Sequence, residues 1–408
     1  MKQIFCILLS LSAVALYARV PDSLDGNRSK YATNYFEKEN QYQMENFYDQ
    51  VDVQQPKGRK TQYPYFVSGS APRLFPTETF FGNLMWSEDD GISVPYCIPF
   101  AGEWGKPVST YIYDEERFPV PEAIDMIWLS LAENEFYSIE EDLPKEEMEL
   151  LLQKKDKRTG EPLYNYIIVG MAPYGRVAVW LHGDKRAKLI AWMEAEETEV
   201  DMEDFCPGTS LSRDEYVDRM LKSVDEAVAN LETNGLPPRD LYDRYMQQFT
   251  YRYVVQFGHW DEEKNEWKDY EKEEASPELD YIEEALFDGT HDKLHDGGLF
   301  NYHEAGKPKK LALQFHLKKA EYSAFFWMDD LQIRTAFEDF YREHPGSGMD
   351  FVFRIDPEKD IYQIAFNGET AEAPCILNKE TCQFIVFKDK TECCRSKNYN
   401  QPRGAWVW

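Results

Sequence analysis

Basic residues are scarce in this chain: 45 Lys and Arg stand against 74 Asp and Glu, a net charge of −29. That balance argues against nucleic acid, whose phosphates need basic patches, and against docking on anionic lipid. Cys-x-x-Cys is missing, which excludes a zinc ribbon and a thioredoxin-like redox motif. The nucleophile-elbow pattern G-x-S-x-G, the phosphate-cradling G-x-x-x-x-G-K-[ST] and G-x-G-x-x-G, and the zinc-protease H-E-x-x-H are absent as well. Long apolar runs are lacking too. The one at Ile4–Leu16 falls short of the ~20 residues a spanning helix needs, so no transmembrane segment is expected.

What the first residues do hold is one positive charge at Lys2, the short apolar core, and small residues at Ala13, Ala15 and Ala18. This reads as a secretory signal over 1–18, with cleavage after Ala15 or Ala18. The expected destination is the periplasm or cell envelope, in a form soluble after cleavage. Beyond it lie Cys97, Cys206, Cys375, Cys382, Cys393 and Cys394. In an exported chain these suggest disulfides, and Cys375 and Cys382, flanking what reads as a hairpin loop, are the candidate pair.

Residues 19–65 are rich in Asn, Gln, Tyr and charge and cannot bury much alone, so they read as a polar arm. A first α+β region is expected over 66–200. Ile124–Ser130 reads as a strand. A helix should start at Pro144, with Glu146, Glu147 and Glu149 at its start and Lys154, Lys155, Lys157 and Arg158 at its end, complementing its dipole. Leu163–Met171 reads as a strand, and Ala172-Pro173-Tyr174-Gly175 as a β-turn feeding the alternating strand Val177, Val179, Leu181. Gly170, Pro173 and Gly175 are the structural residues of this turn.

A helical connector follows over 201–247. Ser212 and Glu215 form a capping box, and a single apolar stripe runs from Val217 to Leu231 until Gly235. The second α+β region, 248–372, opens on a strand at Tyr251–Trp260. It continues with a short helix near 278–287, a strand pair over Lys310–Met328, a helix over Leu331–Glu343, and a hairpin with its loop at 357–360. A cysteine-rich tail spans 373–408. The fold class is therefore α+β: largely antiparallel sheets, each covered by one or two helices, in two similar-sized regions. No residue motif repeats between them.

The densest cluster of chemistry-bearing side chains is Asp288, His291, Asp292, His295, Asp296 and His303-Glu304. On a helix, Asp288, His291 and His295 would share one face and could hold a divalent metal. Gly289, Gly297 and Gly298 favour a solvated loop instead, and no resident cofactor is expected. Tyr31, Tyr35, Tyr42 and Tyr48 of the arm are candidates for a contact surface, whereas Trp128 and Trp180 fall in strands and read as core.

The passage Tyr166–Leu181, containing Gly170-Met171-Ala172-Pro173-Tyr174-Gly175, together with Ile127–Ser130 and Phe136-Tyr137, resembles a bacterial family described as domain of unknown function 2931. The resemblance spans 120–360. It implies export, often as a lipoprotein, and by analogy with members near contact-dependent toxin systems an immunity-like role; it carries no catalytic residues. Three functions compete. The first is a non-enzymatic envelope protein binding a macromolecular, preferably basic, partner, such as an inhibitor. The second is a glycan-binding or glycan-processing cell-surface protein. The third is a metal-dependent hydrolase.

Overall fold

The computed structural model describes residues 62–388, apart from 97–98, 111–116, 157–158, 262, 265, 271–277, 296–299, 318–319, 357–360, 369–374 and 377–382. The signal, the arm up to residue 61, Asp296, Cys382 and the tail's end lie outside the described residues, so the Cys375–Cys382 pairing does too. The chain is mostly β and divides into two units, 62–184 with 189–239, and 185–188 with 240 onward. Among the described residues no helix is long and apolar enough to cross a membrane.

Unit 1 begins with β1 (Gln62–Tyr63), β2 (Phe66–Ser70), β3 (Thr77–Ser87), β4 (Asp90–Ser93), β5 (Pro99–Phe100), β6 (Ser109–Thr110) and β7 (Phe118–Pro119). It continues through β8 (Ala123–Ser130), β9 (Glu135–Asp142), α1 (Lys145–Leu152), β10 (Tyr166–Ala172), β11 (Arg176–His182), β12 (Ala187–Glu194) and β13 (Glu196–Thr198). It closes with α2 (Met202–Phe205), α3 (Arg213–Leu221) and α4 (Asp225–Asn234). One sheet runs β13-β9-β8-β3-β4, and the other runs β12-β11-β10-β2-β6. The β2–β10 pair is parallel, opening with Phe66 opposite Tyr166.

The two sheets face each other. Ile124, Met126 and Trp128 of β8 meet Ile167, Val169 and Met171 of β10 and Val177, Val179 and Leu181 of β11 in one core, closed by Met148, Leu151 and Leu152 of α1. The other face of β8, Ile127 and Leu129, packs with Phe205 of α2 and Val217 of α3. Side chains alternate across a strand, so a strand buried on both faces must be largely apolar on each; β8 is so but for Asp125 and Ser130, which are buried polar residues. The stretch expected as a connector is thus divided, with 202–239 in unit 1 and 240 onward in unit 2.

Three local expectations change. α1 ends at Leu152 with no basic residue in its last turn, so Lys154 and Lys155 lie beyond it. The capping box at Ser212 forms as read, but the stripe from Val217 to Leu231 belongs to two helices. The break falls where the Ser223 hydroxyl donates to the Met220 carbonyl and Val224 leaves the helical conformation at φ −126°, ψ 74°. Local side-chain bonds of this kind compete with the helical ladder. The segment near 278–287 is a strand, not a helix, for a reason given below.

Unit 2 contains α5 (Leu241–Tyr245), β14 (Phe249–Asp261), β15 (Glu266–Asp269), β16 (Glu278–Leu286), β17 (His291–Leu294), β18 (His303–Ala305) and β19 (Pro308–Leu317). It continues with β20 (Ala320–Trp327), α6 (Asp330–Glu343), β21 (Met349–Asp356), β22 (Ile361–Gly368), β23 (Cys375–Ile376) and β24 (Gln383–Lys388). One row of strands is β24-β20-β19-β16-β17; the other sheet is β15-β14-β21-β22-β23, with β18 also on β14. Here too the centre is parallel: Tyr251 of β14 pairs with Met349 of β21. Aromatic rings fill the space between. Phe257 meets Phe315 at 4.6 Å and Phe326 meets Phe353 at 5.0 Å, while Phe337 of α6 packs edge-on against Tyr251, Phe351 and Phe366.

Candidate functional site

Unit 2 buries a ladder of ionisable and hydroxyl groups. β14 turns Tyr251 and Tyr253 inward, and β16 turns Glu284 inward between Ile282 and Leu286. The Tyr253 hydroxyl donates to Glu284 Oε2 at 2.6 Å, and the Tyr251 hydroxyl donates to the Gly306 carbonyl at 2.9 Å. Burial pushes the Glu284 carboxyl up to about 8, so it is largely protonated at neutral pH. Lys307, fully buried, donates to the Arg244 carbonyl and lies 4.6 Å from the centre of the Phe249 ring. Burial pulls its ammonium down to about 8.

The metal-candidate residues are dispersed around this ladder. Asp288 is buried in the turn between β16 and β17. Its Oδ1 accepts from the Thr290 amide at 2.9 Å and the Thr290 hydroxyl at 2.6 Å, and its Oδ2 accepts from Gln248 at 3.1 Å. Burial raises its carboxyl from the ordinary value. His291 lies on β17 opposite Ala285, and His295 follows that strand with Nδ1 3.3 Å from the Asp280 carbonyl. Because 291–294 is a strand, His291 and His295 stand ~13 Å apart along it rather than one helical turn apart. Among the described residues no group of three or more His, Cys, Asp or Glu is arranged to hold a metal ion.

Sequence reading missed Glu284, Tyr253 and Lys307. The signal for Glu284 was present but masked by a register shift in β16 between Leu279 and Tyr281. That irregularity places Leu279 and Ile282, three apart, on the same buried side, which imitates helical spacing. Beyond it, Ile282, Glu284 and Leu286 alternate as a strand does, which marks Glu284 as an inward acid. The position of Lys307 carried no such mark.

In unit 1 the β10–β11 hairpin has a polar centre of its own. Glu133, in the β8–β9 turn, accepts from the Ser130 hydroxyl at 2.7 Å, the Tyr137 hydroxyl at 3.0 Å and the Tyr174 backbone amide at 2.9 Å. It therefore ties the turn of one sheet to the turn of the other. Asn134 (φ 57°) and Tyr174 (φ 64°), the described non-glycine residues with positive φ, occupy these same two turns. Such backbone costs on the order of 1–3 kcal/mol each and persists where surrounding bonds hold it. Gly175 also needs positive φ (68°), and a Cβ there would lie 2.8 Å from the Ala195 carbonyl oxygen. Gly170 serves differently. It lies within β10, where a Cβ would come 2.4 Å from the Trp180 ring. Trp180 and Trp128 are fully buried.

Another interior carboxylate, Glu78, accepts from the Tyr216 hydroxyl at 2.9 Å, and burial pushes it up to about 7. Cys206 is a free thiol, and burial raises its pKa, which disfavours the reactive thiolate.

These observations define a β-rich protein of two helix-backed units in which Glu78, Glu133, Glu284, Asp288 and Lys307 are each hydrogen-bonded to protein partners. Residues 50–237 match the model of a family described as protein of unknown function (DUF2931), and over this segment the chain is similar to that family. The match starts earlier than the resemblance suggested and stops where unit 1 ends, leaving out nearly all of unit 2. No curated protein and no solved structure matches the chain.

Proposed function

We propose that this is a non-enzymatic, exported envelope protein that binds a macromolecular partner, with a basic polypeptide preferred and inhibition of a basic toxin as one concrete form. The observation that carries the reading is how carboxylates are deployed on unit 1. Glu194, Glu196, Glu197, Glu199, Asp201 and Glu203 are all exposed along β12, the edge strand β13 and the start of α2. Arg176 pairs with Glu194 and Arg213 lies 3.6 Å from Glu199, so the run keeps a strong negative excess. Such a field steers a cationic partner and repels anionic ones. Export rests on the apolar, small-residue pattern of residues 1–18.

The alternatives draw less support. The aromatic abundance behind a glycan-binding reading is largely absorbed by the cores: Trp86, Trp104, Trp128, Trp180 and Trp327 are buried. The metal-dependent hydrolase would need Asp288, His291 and His295 on one face, and Asp288 spends both oxygens on Thr290 and Gln248.

The test is capture from envelope and secreted fractions of the source cells on immobilised protein comprising residues 19–408, followed by mass spectrometry. A stoichiometric basic polypeptide, released as salt rises and lost when Glu196, Glu197 and Glu199 become Gln, is the expected result. Retention of nothing at moderate salt, or of a partner indifferent to those substitutions, overturns it.

A further inference from the structure

Three neighbouring strands of unit 2 carry an in-register row of polar side chains on one face: Gln256 of β14, Arg354 of β21 and Gln363 of β22. We propose that this row is a carboxylate-binding site, with Arg354 as the charge and the two glutamine amides as flanking donors.

Arg354 donates from Nε to Gln256 Oε1 at 2.9 Å and from Nη1 to Gln363 Oε1 at 2.7 Å. The guanidinium is held between two neutral acceptors that fix its plane and leave its charge uncompensated. A guanidinium has five N–H groups, so the second hydrogen of Nη1 and both of Nη2 remain. No further partner for Arg354 is found among the described residues. Each glutamine spends its carbonyl on the arginine, which turns its NH2 into a donor beside the same spot. The row therefore offers N–H groups and no carboxylate, in a chain with 74 acidic residues.

The same face contains an internal comparison. Arg252, four residues back along β14 from Gln256, has its charge met by a carboxylate: Nε meets Asp350 Oδ1 at 2.7 Å, Nη2 meets Oδ2 at 3.1 Å, and the Tyr302 ring covers it at 4.4 Å. A forked carboxylate bond of this kind is what the Arg354 fork lacks. Asp356, two residues further along β21, is buried and faces His259 Nδ1 at 3.6 Å. All three residues of the row are half-exposed, so a ligand can reach them from solvent. A planar carboxylate matches the planar fork, and acceptor groups beside it, such as hydroxyls, would meet the glutamine amides.

The experiment uses the full chain labelled with 15N at arginine, titrated with sodium acetate at constant ionic strength. Sodium chloride and inorganic phosphate form separate arms. The Arg354 signal is the one missing from Arg354→Lys. Acetate is expected to move it saturably where chloride does not, and Gln256→Ala or Gln363→Ala should each weaken acetate binding several-fold. Arg354→Lys should weaken it about tenfold, read from the acetate signal by saturation transfer. A signal that acetate does not move, or that phosphate saturates at lower concentration than acetate, overturns the proposal. Amide exchange of β21 in each variant verifies that the sheet is intact; the glutamine variants decide the matter should Arg354→Lys lose that protection.

Discussion

Unit 1 closes its sandwich largely with aliphatic side chains and tryptophans and keeps its shifted acids off that core: Glu78 is buried on the helix-covered side, under Tyr216 of α3, and Glu133 lies where two turns meet. Unit 2 closes on phenylalanine and tyrosine rings and places Glu284, Asp288 and Lys307 within the interior itself. Apolar packing stabilises by area and tolerates exchange, whereas a buried polar ladder must be satisfied group by group. The first unit should therefore accept sequence change more readily. Its family match ends where that style of core ends.

The largest test of this contrast disturbs the packing of each core in turn. Phe337→Ala in unit 2 should cost ~3–5 kcal/mol, because the ring bridges α6 to both β14 and β21. Gly170→Ala in unit 1, forcing a methyl against Trp180, should cost ~1–3 kcal/mol. Hydrogen exchange read by peptide should confine each loss to its own unit; equal loss in both after either change would dissolve the comparison.

The next effect is one of pH. Glu284 holds its proton in the folded chain up to about 8 and releases it near 4.5 when unfolded. Between those values the unfolded state binds fewer protons, so the stability of unit 2 should fall as pH rises through the window. Glu284→Gln, which keeps an acceptor for Tyr253, should flatten that fall in urea midpoints measured from pH 5 to 8. Lys307 acts in the opposite sense higher up, favouring the fold as pH climbs from about 8 towards 10.5. An unchanged slope in the Gln variant would remove Glu284 from the account.

The smallest effect concerns the tie between turns. Glu133→Ala orphans the Tyr174 amide at a residue already at positive φ and should cost ~1–3 kcal/mol, with faster amide exchange confined to 131–134 and 174–175. Glu133→Gln should recover part of that protection, and recovery of none would assign the bond no role.

Much of unit 1 was legible because its signals are local. The alternation in Val177, Val179 and Leu181, the Pro-Tyr-Gly turn and the Ser212–Glu215 box each depend on a few neighbouring residues. Glu133 was not legible, since its three donors come from Ser130, Tyr137 and Tyr174, and only folding brings the last of these near. In unit 2 the bulge at Leu279–Tyr281 disguised a strand as a helix and hid the acid it carries. The His291–His295 spacing invited a metal because four residues make one turn of helix; in a strand the same spacing is an extended reach. The Gln256–Arg354–Gln363 row joins residues 98 and 9 positions apart and could be read only from register.

The parallel pairs at the centre of each unit also govern how the chain reaches its fold. Phe66 meets Tyr166 and Tyr251 meets Met349, so each sheet is completed by closing a loop of about a hundred residues. Hairpins such as β10–β11 and β21–β22 can form within microseconds, while the parallel seams wait for distant chain to arrive. Until β10 is made, β2 has an open edge, and until β21 is made, β14 has one; emerging N-terminal end first, the chain carries each unpaired strand through that interval. For a protein so dependent on strand pairing, that interval is the period of greatest exposure to misassembly.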